Sequence, residues 1–165
     1  MPFVEVATSI RGLVQFLVAL AKANLVDCQS DTAVRDELHR RCETRASIVY
    51  TRDGRRSTHG TTRGTDRWTC FSLLRERAHD KPIEADCEDL AALWAAHLLL
   101  RGFRVALSIT QPREGAMAHA YVRVFDGQQG AWRVWDPSVW HGMKDPGPDF
   151  YTTGETFSCE LEQPC

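Results

Sequence analysis

Glu84-Ala-Asp-Cys-Glu-Asp-Leu-Ala-Ala-Leu-Trp-Ala-Ala-His-Leu-Leu-Leu-Arg-Gly102 is the stretch on which the fold turns. Both of its ends carry helix signals. Asp86 is a good N-cap, with Asp89 three residues later able to reach back as in a capping box. Gly102 follows the last apolar residues, where a left-handed residue ends a helix, and Arg101 suits the negative end of the dipole. Between them Leu90, Leu93, Trp94, Leu98 and Leu100 alternate with alanines, so the segment is apolar on most sides. That pattern predicts a central, buried helix. Its one reactive side chain is Cys87, at the first helical position, where unpaired backbone N–H groups favour a thiolate.

Outward from this helix the pattern changes. On the C-terminal side, Val105, Leu107 and Ile109 alternate with Arg104, Ala106 and Ser108, a half-buried strand that ends at Gln111-Pro112. Ala118 to Phe125 reads as a second strand, with His119, Tyr121, Arg123 and Phe125 on one face. Asp126-Gly127 opens a hairpin-type connection to a third strand, Trp132 to Asp136. These three strands are expected to form an antiparallel meander, and the tail from His141 to be irregular. On the N-terminal side, Ile10, Leu13, Val14, Leu17, Val18, Ala21 and Leu25 share one face of an amphipathic helix. A second helix is expected over Thr32 to Glu43, a short β-like run at Ile48 to Tyr50, and a short helix over Trp68 to Arg77. The residues from Arg52 to Arg67, rich in Gly, Thr, Ser and Arg, read as a long basic surface loop.

The 165 residues suit a single domain with a core of its own. Its expected parts are an N-terminal helical region 1–45, a core 46–140 and a tail 141–165. The net charge of −2 gives no reason to expect nucleic acid or an acidic membrane as partner. Six cysteines without a Cys-x-x-Cys pair argue against a zinc knuckle and for free thiols in a reducing cytoplasm. Cys159 and Cys165 are close enough in sequence to close a loop in an oxidising compartment. Leu13 to Ala21 followed by Ala21-Lys22-Ala23 imitates a signal-peptide cleavage region. Glu5 and a single arginine make a poor charged start, so this segment is read as a helix of the mature protein. No run approaches a membrane span.

A thiol nucleophile needs a base in reach, and the base needs a third group to fix its tautomer. His119 near the start of the second strand and Asp136 at the end of the third become neighbours if those strands pair as a hairpin. Cys87 joins them if that sheet edge meets the N-terminus of the central helix. Each residue alone has a plainer reading: a core cysteine, a structural histidine, an aspartate before a turn. Their joint placement favours chemistry. Asp86, Glu88 and Asp89 oppose it, because they raise the pKa of the thiol and only close pairing with His119 offsets them. A metal site built from Cys87, His119 and Asp136 would have only three ligands, so no metal or cofactor is expected. Of the other histidines, His97 reads as a core residue, and His141 stands out only for its closeness to Asp136.

Asp86-Cys87-Glu88-Asp89-Leu90-Ala91, His119-Ala120-Tyr121-Val122-Arg123-Val124 and Trp135-Asp136-Pro137-Ser138 together resemble the motifs of the transglutaminase-like superfamily of papain-fold cysteine enzymes. The resemblance covers roughly the second half of the chain. It implies an α+β papain-like domain with Cys87 as nucleophile, His119 as base and then acid, and Asp136 as the orienting group. The Cys87 backbone N–H is then one expected oxyanion donor, with Trp68 or Gln111 as candidates for the second. The implied activity is amide hydrolysis on a protein or peptide substrate, or amine transfer if an amine resolves the thioester. The short length, and Gly142-Met143 after the Asp-Pro-Ser ending, also resemble short transglutaminase-like proteins of tailed phages. That implies an alternative: a non-catalytic, virion-associated component of a phage particle or similar assembly, with other proteins of that assembly as partners.

Overall fold

The structure, a computed structural model, describes residues 9–52, 69–113 and 117–163. Trp68, most of the basic loop and Cys165 lie outside these residues. The chain begins with helix α1 (Ile10–Ser30), whose N-cap Ser9 accepts the Gly12 N–H at 3.2 Å. Ile10, Val14, Leu17, Ala21, Leu25 and Cys28 line its buried face. Asp31 caps α2 (Thr32–Glu43) by accepting the Ala33 N–H at 2.8 Å. Strand β1 (Ile48–Tyr50) pairs in parallel with β2 (Ile83–Ala85), Ile48 facing Ile83. Helix α3 (Phe71–Ala78) lies between these two strands in sequence.

Helix α4 (Cys87–Leu100) is the predicted central helix, with Asp86 as its N-cap accepting the Asp89 N–H at 3.1 Å. At its C-terminal end, Gly102 takes φ +83°. The Gly102 N–H reaches Leu99 O and the Phe103 N–H reaches Leu98 O, the paired bonds of a Schellman motif. Every residue from Asp89 to His97 is buried, because α4 packs against α1 and also against the sheet. Asp89 Oδ1 accepts the Thr69 N–H at 2.8 Å, so this carboxylate ties the segment ahead of α3 to the central helix.

The sheet holds four strands, in the order β5-β4-β3-β6, all antiparallel. They are β3 (Val105–Gln111), β4 (His119–Asp126), β5 (Ala131–Trp135) and β6 (Glu155–Glu160). The meander of three strands is therefore incomplete, and the expectation of an irregular tail is corrected. Residues 155–160 return to pair with β3, Leu107 facing Cys159 and Ser108 facing Ser158. The pairing carries polar contacts that hydrophobic alternation does not signal: Ser108 Oγ to Ser158 Oγ at 2.6 Å, and Thr110 Oγ1 to Thr156 Oγ1 at 2.8 Å. Gly154, at φ +79°, admits this strand, since a Cβ there would collide with the Gln111 carbonyl and Pro112. A short helix α5 (Pro137–Trp140) precedes the tail, and the tail itself forms a 3-10 turn at Pro148–Thr152. The fold class is α+β, as expected. Among the described residues no helix is long and apolar enough to cross a membrane.

Candidate active site

Cys87 opens α4 and His119 opens β4, while Asp136 follows β5 and caps α5, where its Oδ1 accepts the Ser138 N–H at 2.9 Å. The β4–β5 hairpin sets Val122 opposite Trp135. The end of β5 thus lies beside the start of β4, and His119 Nε2 meets Asp136 Oδ2 at 2.7 Å. Both side chains are nearly withdrawn from solvent, at 9% and 5% exposed. A carboxylate on Nε2 holds the proton there and leaves the lone pair on Nδ1, the nitrogen a general base needs.

The other Asp136 partner is one the sequence reading missed. Tyr151 Oη donates to the same Oδ2 at 2.6 Å from the 3-10 turn of the tail. Burial works against the Asp136 carboxylate, but the bonds from His119, Tyr151 and the Ser138 N–H outweigh it and hold the group below its ordinary pKa. Burial and that same carboxylate push the Tyr151 phenol up, so it stays a donor. Only the adjacent aromatics Phe150-Tyr151 hinted at this residue, and nothing in their spacing points to Asp136.

Cys87 sits where β5 runs out. The Phe125 N–H bonds the Arg104 carbonyl at 3.0 Å, so odd-numbered residues of β4 bond towards β3 and even-numbered ones turn their N–H groups towards β5. β5 ends at Trp135, opposite Val122, which leaves the next rung, Ala120, without a strand partner on that side. The Ala120 N–H is instead directed at Cys87 Sγ and favours its thiolate. The sulfur therefore lies against the peptide that joins His119 to Ala120.

The thiol does not bond His119 in this conformation. Its hydrogen bond goes to Glu88 Oε2 at 3.1 Å. Burial first, then the Glu88 carboxylate, push the thiol pKa well above its ordinary value, with a smaller push from Asp86. The opposition expected from the acidic neighbours is thus present, and it comes mainly from Glu88. The thiol is thus held protonated, while the Asp136 carboxylate keeps the His119 proton on Nε2.

Of the two candidates for a second oxyanion donor, Trp68 lies outside the described residues. Gln111 ends β3 one position beyond Thr110, the residue facing His119. Strand alternation puts it on the opposite face of the sheet from His119. The Cys87 backbone N–H, at the first position of a helix, has no intrahelical acceptor by geometry and fits the oxyanion role. His141 is buried and has both ring nitrogens engaged: Nδ1 with the Arg45 carbonyl at 3.1 Å, and Nε2 accepting Trp94 Nε1 at 3.1 Å. His97 is buried as expected, its Nδ1 2.7 Å from His39 Nδ1. No group of three or more His, Cys, Asp or Glu side chains among the described residues is placed to hold a metal ion. Comparison with protein-family models, curated proteins and solved structures finds no match for this chain.

Proposed function

We propose that the protein is a cysteine-dependent amide hydrolase of transglutaminase-like type, acting on a protein or peptide. The observation that carries this reading is the His119–Asp136 pair, joined at 2.7 Å through Nε2, with Sγ of Cys87 against the peptide that joins His119 to Ala120. When an amide carbonyl enters, His119 Nδ1 takes the thiol proton as Sγ forms its bond to carbon. The resulting oxyanion is stabilised by the Cys87 N–H at the helix N-terminus. The C–N bond then breaks, and the leaving amine departs with the proton from His119. Water adds to the thioester, giving its proton to His119, and the carboxylic acid leaves as the thiol is restored. Asp136 stays ionised throughout and stabilises the imidazolium, with Tyr151 holding the carboxylate in place.

One observation favours a second reading, a non-catalytic component of a phage particle or similar assembly. The thiol is bonded to Glu88 and buried, which suits a structural cysteine. Alkylation by iodoacetamide near neutral pH separates the two. General-base help from His119 makes Cys87 react faster than the better exposed Cys70 and Cys159, and His119→Ala abolishes that lead. Alkylation of Cys87 slower than both, and indifferent to His119→Ala, supports the assembly reading instead.

A further inference from the structure

Asp136 also lines a cavity of about 630 Å³, walled by Trp132, Trp135, Trp140 and Tyr151, with Arg45 and Arg123 at its polar positions. Arg104 and Arg133 on the same sheet each hold a carboxylate at 2.9 Å. Arg45 and Arg123 have no ion-pair partner among the described residues. The guanidinium of Arg45 lies 5.8 Å from the Trp140 ring centroid. That of Arg123 makes a single hydrogen bond, Nη2 to Tyr121 Oη at 3.4 Å, and its Nε is buried without a partner. Trp135 Nε1 is likewise buried and unpartnered.

A guanidinium Nε–H and an indole N–H buried without an acceptor are costly, and the cost is recovered when a planar anion enters, with the exposed Arg45 as the outer cation. The acidic groups of the cavity do not fill that place. Asp136 is committed to His119 and Tyr151, and Asp145 has an oxygen on the Gly147 N–H at 2.8 Å. Two cations set against these two carboxylates suit a monoanion better than a phosphate dianion. The three indole walls call for an apolar or aromatic body attached to it.

We propose that this cavity binds a carboxylate carried on an apolar or aromatic group, such as the acidic or C-terminal residue of a peptide. That the peptide is a substrate rests on the hydrolase reading; the binding itself does not. Because Asp136 both lines the cavity and holds His119, the same reading gives the enzyme a preference for acidic peptides.

The test uses the Cys87→Ser chain, in which binding is read without turnover, and the probes N-benzoylglycine and N-benzoylglycinamide. The acid is expected to bind about tenfold or more tighter than the amide, the worth of one charge-assisted hydrogen bond. It also shifts the Trp135 indole N–H and Arg123 Nε–H resonances. Arg123→Gln removes most of that preference while the backbone spectrum stays dispersed, Arg45→Gln weakens it in the same direction, and Arg104→Gln leaves it intact. Equal binding of acid and amide, binding of neither, equal displacement by inorganic phosphate, or a preference that survives both Arg45→Gln and Arg123→Gln overturns the proposal. The two readings fail separately. Acid binding by a chain that hydrolyses no amide removes the hydrolase and keeps the pocket. Hydrolysis by a chain that binds acid and amide equally removes the pocket and keeps the hydrolase.

Discussion

His119 and His141 are both buried and stand at the two ends of one short piece of chain, the turn that becomes α5. Asp136 at the N-cap of α5 holds His119, and His141 is the C-cap residue of the same helix. His141 receives an indole N–H and sits against a backbone carbonyl, so its two nitrogens are satisfied in the neutral form. Burial, the largest cause, lowers its pKa, and nothing is left to exchange a proton with. His119 has a carboxylate on one nitrogen, and among the described residues its Nδ1 has no hydrogen bond. Burial alone therefore does not tell the two histidines apart. The charge of the partner and the state of the second nitrogen do.

The comparison is tested most severely by removing each ring in turn. His119→Ala should lower hydrolysis by up to about 10⁴-fold, the full range of general acid–base catalysis, and also lower Tm, since the buried Asp136 carboxylate loses a partner. His141→Gln should spare the rate. Activity stays within a small factor, while the Trp94 indole loses its acceptor and the ties from α5 to Arg45 and α4 loosen, costing about 1–3 kcal/mol in denaturant unfolding. Equal effects on rate from both substitutions would erase the distinction.

Next comes Asp136→Asn. An amide can present its NH2 to Nε2, which moves the imidazole proton to Nδ1 and removes the base. The expected fall in hydrolysis is up to about 10⁴-fold, with His119 still in its place. Tyr151→Phe touches the same oxygen from the other side and should cost far less, since His119 still fixes the carboxylate. A pH–rate profile measured on both variants tells tautomer loss from simple displacement: Tyr151→Phe keeps the shape of the wild-type profile and Asp136→Asn does not.

Why Cys87, His119 and Asp136 were legible in the sequence, and Tyr151 and Glu88's bond were not, has a physical basis. The first set lies on elements with strong period signals: a capped apolar helix and a hairpin whose register follows from alternation. Strand pairing then fixes where His119 and Asp136 meet. Tyr151 reaches the site from a segment with Gly, Pro and Asp, where no period exists to place a side chain. β6 was hidden for a related reason. Its contacts to β3 include Ser–Ser and Thr–Thr pairs, so the strand does not show a hydrophobic face, although Phe157 and Cys159 pack partly inward. The negative charge around Cys87 was visible at once, but only the fold selects Glu88 over Asp89. Asp89 turns to the Thr69 N–H, and Glu88 turns to the sulfur.

Glu88 also offers a way to sharpen the contrast between a base that is ready and a nucleophile that is not. Its carboxylate raises the thiol pKa and accepts the S–H, so Glu88→Gln should enlarge the thiolate fraction at pH 7. Alkylation of Cys87 should become several-fold faster, and the gain should shrink as pH rises towards the range where the wild-type thiol ionises. No acceleration would mean that burial alone holds the proton.

The smallest effect tests the neutral histidines as a class. Burial lowers the His97 pKa to about 4, helped by His39 and Arg101, and lowers those of His39 and His141 in the same direction. A folded histidine that resists protonation binds fewer protons than its unfolded counterpart, which titrates near 6.5. Stability is then full above about pH 6.5 and declines as pH falls towards about 4 for His97, where the folded form also takes up its proton. The paired carboxylate of Asp136, whose pKa is depressed, loses its contribution only at still lower pH, below the ordinary carboxylate range. Thermal unfolding should thus show a drop of about 5 °C between pH 6.5 and 4, and a second decline below it. His97→Gln should flatten the upper limb, as the Gln side chain has no proton to gain and can still meet His39. Asp136→Asn should leave that limb alone and remove part of the lower one. If His97→Gln leaves the upper limb as steep as before, the acid sensitivity does not come from the histidines that the fold keeps neutral.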